Sequence, residues 1–218
     1  MVKPRIKICC ISSEVEAKMA IQYGASALGF VGHMPSGPGI ISDDLILRIV
    51  KTIPPPIGTF LLTSETVAQK IIAHHQVTRT NTIQMVDSIS INSYNVIRES
   101  IPSIKLVQVI HVIDNKSVDV AIMIAELVDA ILLDSGNPNL RIKELGGTGR
   151  IHNWKLSRKI RNGVKIPVFL AGGINAENVK QAIDEVEPFG LDLCNGVRTN
   201  GRLDEKKLEL FMKNALYH

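Results

Sequence analysis

Aromatic side chains are scarce in this chain: Phe, Tyr and Trp supply 4% of its 218 residues, with a single Trp. A surface that stacks nucleic-acid bases needs several of them, so no nucleic-acid partner is expected. Charge of one sign is also thin. The 25 Lys and Arg against 21 Asp and Glu leave a net +4 with no basic block, which suits a small anionic ligand better than a polyanion. Cysteine is limited to Cys9, Cys10 and Cys194, an odd number with two adjacent, a poor basis for a disulfide framework. The opening Met1-Val2-Lys3-Pro4-Arg5 lacks the apolar stretch and cleavage site of a signal peptide. These features together point to a cytoplasmic protein with reduced thiols. Long apolar runs are missing too; Leu106-Val107-Gln108-Val109-Ile110 is soon interrupted, so no membrane span is expected.

Metal and acyl-transfer signatures are likewise absent. His74 and His75 are adjacent, while His33, His111, His152 and His218 are scattered; no His-x-x-x-His, Cys-x-x-Cys or Gly-x-Ser-x-Gly pattern occurs. The expectation is an activity without metal.

What the chain does contain is a repeating alternation of short apolar runs and helix-period segments. Strands are predicted over residues 6–11, 27–31, 57–62, 82–86, 105–112, 130–134, 167–171 and 191–193. Helices are predicted over 13–23, from Ser42 through Ile49, over 64–75, 91–100 and 116–127, after His152, over 175–186, and from Asp204 onward. Eight strand-then-helix units predict a single (β/α)8 barrel, a TIM barrel with an eight-stranded parallel sheet, spanning residues 1–218 as one domain. Continuous apolar runs such as Ile131-Leu132-Leu133 are what a helix-covered parallel sheet requires, and no Gly-x-Gly-x-x-Gly follows the first strand to suggest a doubly wound sheet.

Barrel enzymes place their chemistry where strands end. Cys9 lies at the end of the first strand and Asp134 at the end of the sixth. Alternation puts Lys7 and Cys9 on one face and Ile8 and Cys10 on the other. An inward Cys9 would sit near a helix N-terminus that favours thiolate; equally, it could be a small buried apolar residue. Asp134 could be a turn residue before Ser135-Gly136 or, being costly to bury without a task, an acid. Together they would form an acid/base pair across the mouth. Two glycine clusters, Gly146-Gly147-Thr148-Gly149 and Gly172-Gly173, each ahead of a helix, free backbone N–H groups to hold a phosphate.

The motif Lys7-Ile8-Cys9-Cys10-Ile11-Ser12 resembles the Lys-Ile-Cys-Gly-Ile-Thr opening of phosphoribosylanthranilate isomerases. Further matches run in order: Ala27-Leu28-Gly29-Phe30-Val31, Leu132-Leu133-Asp134, Gly146-Gly147-Thr148-Gly149 with Trp154, Leu170-Ala171-Gly172-Gly173-Ile174, Glu177-Asn178-Val179, Asp192 and Asn195-Gly196-Val197. The resemblance implies an Amadori rearrangement in tryptophan biosynthesis without metal or organic cofactor. In it Asp134 would be the general acid and Cys9 the general base. Phosphate and substrate would be bound by Gly172, Gly173, Asn195 and Gly196, with Gly147 and Asp192 contributing, and the enzyme would be a monomer or homodimer.

The chain also departs from the pattern. Met34-Pro35-Ser36-Gly37-Pro38-Gly39 stands where the family carries Ser-Pro-Arg, whose arginine helps hold the anthranilate. Gln84-Met85-Val86-Asp87 stands for Gln-Leu-His-Gly. Cys10 replaces a glycine, Asn153 an aspartate and Arg198 a glutamate. Arg198, just past the last strand, is a candidate for the missing cation at the anthranilate carboxylate; equally, it could be a solvated loop arginine. Three activities fit the sequence: this isomerisation, isomerisation of a related phosphoribosylamine, or non-catalytic binding of a sugar phosphate.

Overall fold

The computed structural model describes residues 3–216; Met1, Val2, Tyr217 and His218 lie outside them, so the outermost residues of the expected 1–218 span and His218 fall beyond the description. In chain order the elements are β1 (Arg5–Ile8), α1 (Glu14–Gln22), β2 (Ala27–Val31), α2 (Asp43–Val50), β3 (Gly58–Thr63), α3 (Ala68–Thr78), β4 (Thr82–Met85) and α4 (Ile91–Ser100). They continue with β5 (Lys105–His111), α5 (Lys116–Ala125), β6 (Ala130–Asp134), α6 (Trp154–Gly163), β7 (Val168–Leu170), α7 (Val179–Val186) and β8 (Gly190–Leu193). A short hairpin, β9 (Arg198–Thr199) and β10 (Arg202–Leu203), then leads to α8 (Glu205–Leu216). The first eight strands form one closed, all-parallel barrel in sequence order, with β1 against β8 completing the ring.

The two-residue period of each strand divides its side chains between two cores. Ile6, Ile8, Leu28, Phe30, Leu61, Ile83, Leu106, Ile131 and Leu133 point outward and are covered by the helices. Ala27, Phe60, Leu62, Val107, Val109, Ala130, Leu132 and Phe169 fill the interior with Cys9. Phe60 and Phe169 meet edge to face at 6.0 Å between centroids. The interior also holds a fully buried Lys7, whose Nζ lies 2.8 Å from Asp192 Oδ1 and 5.2 Å from the Phe60 ring centroid. An ionised amine is tolerated there because the carboxylate, reached at the aligned register position of β8, accepts its hydrogen bond and balances its charge.

Some boundaries differ from the sequence expectation for local reasons. The first strand stops at Ile8 rather than at residue 11, because Cys10 adopts a left-handed conformation with φ +63°. Helix α7 begins at Val179 rather than at 175. Asn175 Oδ1 accepts from the N–H groups of Glu177 and Asn178, both at 3.0 Å, and this side-chain turn replaces the first helical turn. The hairpin of β9 and β10 was not expected; its Asn200-Gly201 pair takes φ of +50° and +77°, the conformation such a two-residue turn requires.

Candidate active site

The C-terminal ends of the strands open into a cavity of about 260 Å³. Cys9 and Asp134 both line it, from β1 and β6, as do Gly147, Gly172, Gly173, Asp192, Asn195 and Gly196. Cys9 is an interior residue, 5% exposed, on the face of Lys7 as expected, but Cys10, expected on the opposite face with Ile8, also lines the cavity because its left-handed backbone breaks the alternation. The structure thus brings together every residue expected at the site except Arg198.

One wall is built from the turns after β7 and β8. Gly172 and Gly173 take φ of +80° and +66°, and a Cβ on Gly173 would lie 2.7 Å from the Arg150 carbonyl carbon. Gly196 packs against the Ile174 carbonyl with no room for a side chain, so the two turns abut. Only glycine can bring backbone this close, and the result is a concave strip of peptide groups of the kind that holds phosphate. The turn after β8 enters a short 3-10 turn, Asn195–Val197, rather than a helix directly. His152, beneath Gly172, is pulled down to about 4 by burial and adds no positive charge there.

The long connection between β6 and α6 lies over the mouth and is pinned from three sides. Asn195 Nδ2 donates to Gly147 O at 2.9 Å, Ser36 Oγ donates to Lys143 O at 2.6 Å, and Ser135 and Thr148 share a 2.6 Å hydroxyl contact. The opposite wall is apolar: Val31, Met34, Leu62, Val86, Val109 and Leu132. It suits an aromatic ring.

Burial pushes the Asp134 carboxyl above its ordinary 3.8, against the Ser135 N–H that donates to its Oδ1 at 2.7 Å. A carboxyl raised in this way is fitted to deliver a proton. The Cys9 thiol moves the other way. A hydrogen bond to Cys10 outweighs the opposing burial and, with the Lys7 ammonium, holds Cys9 below its ordinary 9.0. Cys10 is itself pushed well up by its contacts with Cys194 and Cys9 and by burial, so it is the partner that keeps its proton. All three cysteines line the cavity. Among the described residues, no group of three or more His, Cys, Asp and Glu is placed to ligate a metal ion.

Arg198 does not reach the mouth, so it does not meet the aglycone, and being buried it is not a solvated loop arginine either. Its Nη1 donates to Glu16 Oε1 and Gly201 O, both at 2.9 Å, and its Nη2 donates to Cys9 O at 3.1 Å and Cys10 O at 2.6 Å. Its side chain is 4% exposed and it is absent from the cavity lining. The cause is the left-handed turn at Cys10, which ends β1 pairing and leaves two carbonyls facing the helical layer. A guanidinium has enough donors to satisfy both and to pair with Glu16. Burial pushes the Glu16 carboxyl up, yet hydrogen bonds from Arg198, Leu203 and Ser12 bring it below its usual value. The sequence reading also missed Lys143, whose Nζ lies 2.5 Å from Asp87 Oδ2, because the two are 56 positions apart.

A closed parallel barrel with an acid, a thiol and abutting glycine turns gathered at its C-terminal mouth places the chain among the (β/α)8 barrels with a cavity at the strand ends. The family model for N-(5'-phosphoribosyl)anthranilate (PRA) isomerase matches residues 6–214, and the chain belongs to that family. It is 35% identical over 213 residues to N-(5'-phosphoribosyl)anthranilate isomerase 2 of Methanosarcina mazei, covering 97% of this chain and 93% of that relative. Among solved structures, phosphoribosyl anthranilate isomerase from Thermotoga maritima superposes with a TM-score of 0.83 at 30% identity, covering 97% and 98% of the two chains. A structure of phosphoribosyl anthranilate isomerase in complex with reduced 1-(o-carboxyphenylamino)-1-deoxyribulose 5-phosphate gives 0.81 at 28% identity with the same coverage. A dimeric form is also known from Thermotoga maritima.

Proposed function

We propose that this chain isomerises N-(5'-phosphoribosyl)anthranilate to 1-(o-carboxyphenylamino)-1-deoxyribulose 5-phosphate in tryptophan biosynthesis. The observation that carries the reading is the convergence of Cys9 and Asp134 on one cavity whose neighbouring wall is the paired glycine turns. Asp134 gives its proton to the furanose ring oxygen as the C1–O bond breaks, and the anilino nitrogen's lone pair closes a Schiff base. The Cys9 thiolate then takes the C2 proton, and the released electrons form the C1=C2 enolamine. Protonation of C1 with loss of the C2 hydroxyl proton yields the ketone. The phosphate rests on Gly172, Gly173, Asn195 and Gly196, with Gly147 above. Asp192, an acceptor already fixed by Lys7, suits the sugar hydroxyls rather than the phosphate. The enzyme works in the cytoplasm as one domain, as a monomer or homodimer, without metal or organic cofactor.

The productive form pairs a protonated Asp134 with an ionised Cys9. Both shifts, the carboxyl upward from 3.8 and the thiol downward from 9.0, narrow the gap between the two groups and enlarge the population of that form. Activity should therefore be bell-shaped, with both limbs inside the interval from 3.8 to 9.0. Cys10→Gly removes the hydrogen bond that lowers the thiol and should move the alkaline limb upward. A pH profile of kcat/KM for both proteins checks this; an unmoved limb would show that Cys10 does not tune the base.

The phosphate assignment is tested by competition. Inorganic phosphate is expected to inhibit competitively and to shift the amide resonances of Gly172, Gly173 and Gly196. Inhibition without those shifts would place the phosphate elsewhere.

A further inference from the structure

The cavity lining contains two carboxylates, Asp134 and Asp192, and no Lys, Arg or His. The phosphate of the proposed substrate can rest on peptide N–H groups, but its aglycone carries a second anion, a carboxylate on an aromatic ring. Arg198 cannot meet that anion, being held by Glu16 and the carbonyls of Cys9 and Cys10. Arg150, on the loop over the mouth, is paired with Glu144.

We propose that Lys143 is the specificity-determining cation for the aglycone carboxylate, presented from the β6–α6 connection and aimed by Asp87 at the end of β4. The proposal rests on the isomerase reading above.

Three observations place it. Asp87 directly follows Val86, a residue of the apolar wall, so the Lys143 ammonium is tethered at the rim, just outside the cavity lining, next to the apolar wall rather than at the phosphate turns. The backbone on either side is held to the mouth: the Lys143 carbonyl accepts from Ser36, and Leu145 lines the cavity. Residue 144 makes an isolated bridge to Asn137, so the chain is extended there, and positions 143 and 145 project to the same side while Glu144 turns to Arg150.

The exposures separate the partners. Asp87 is 9% exposed and Lys143 is 46% exposed, so the carboxylate is a fixed anchor and the ammonium keeps accessible N–H groups. An ammonium carries three donors; one satisfies Asp87, and the others are available to a carboxylate arriving at the apolar wall. Asp87 further accepts from Ser88 N–H at 2.9 Å, which fixes its own rotamer. The family arginine lost from the segment after β2 is thus replaced from a different loop. Ser36, within the segment that lost it, holds the new cation's backbone.

The test uses the whole enzyme with Lys143→Met, Lys143→Arg and, as a control on the same loop, Arg141→Met. Turnover of N-(5'-phosphoribosyl)anthranilate and binding of its carboxyphenylamino ketose product are measured alongside inhibition by inorganic phosphate. The expected result for Lys143→Met is a KM and a product Kd raised about tenfold or more, with kcat and phosphate inhibition near wild type. Lys143→Arg should recover most of the affinity, and Arg141→Met should behave as wild type. Unchanged KM and Kd in Lys143→Met would overturn the proposal, as would an equal loss of phosphate inhibition. A wild type that binds the product through Lys143 but does not turn over the substrate would overturn the isomerase reading and keep this one. A wild type that does neither would end both.

Discussion

Replacing Asp134 by Asn is expected to lower kcat by about 10²–10⁴-fold while leaving the melting temperature near that of the wild type. Asparagine keeps an oxygen for the Ser135 N–H and nearly the same shape, so the cavity survives and only the transferable proton is lost. Cys9→Ser should give a loss of similar size for the opposite reason. A hydroxyl occupies the site of the thiol but does not ionise at working pH, so the C2 proton has no acceptor. KM should change little in either variant, because neither residue belongs to the phosphate wall or the apolar wall. Steady-state kinetics beside thermal melts separates loss of chemistry from loss of fold. Retention of more than about a tenth of wild-type kcat by either variant would remove that residue from the acid/base pair.

The largest effect on stability is expected at Arg198. Truncation to Ala strips the donors from the carbonyls of Cys9 and Cys10 and leaves Glu16 buried, 9% exposed, without its cation. Breaking a buried pair from one side costs about 3–5 kcal/mol, which in a chain of this size lowers Tm by roughly 10 °C. Activity should fall with it, since the same guanidinium fixes the backbone that carries Cys9. Arg150→Ala, which removes a pair whose arginine is 58% exposed, should cost less than about 1 kcal/mol. Calorimetry on the two variants decides the matter. An Arg198→Ala protein that melts like wild type and shows only a raised KM would put the guanidinium back at the substrate.

The barrel was legible because its strands are buried on both faces and its helices on one, which writes two different periods into the sequence. Cys9 and Asp134 were legible because strand ends can be read from those periods, and because parallel closure brings all strand ends to one rim. Arg198 was misread on position alone. It does follow the last strand, but whether it turns to the mouth or to the helical layer depends on the left-handed Cys10, whose exposed carbonyls capture it. A signal for that conformation was present: the resemblance places a glycine at position 10, where a positive φ is free of strain. The Asn200-Gly201 turn had a local signal too, but two-residue strands are too short to register by alternation. Lys143 and Asp87 had none. Their pairing depends on how a 19-residue connection folds back over the barrel between β6 and α6, a path set by Ser36, Asn195 and Thr148 rather than by any periodicity.

The most direct measurement of the central claim follows the fluorescence of N-(5'-phosphoribosyl)anthranilate as it is consumed by wild type and by the Cys9→Ser/Asp134→Asn double variant at equal concentration. The account predicts saturable consumption by the wild type, with the carboxyphenylamino ketose as product, and decay at the uncatalysed rate with the folded double variant. Turnover that persists in the double variant, or a folded wild type that never exceeds spontaneous decay, would contradict it.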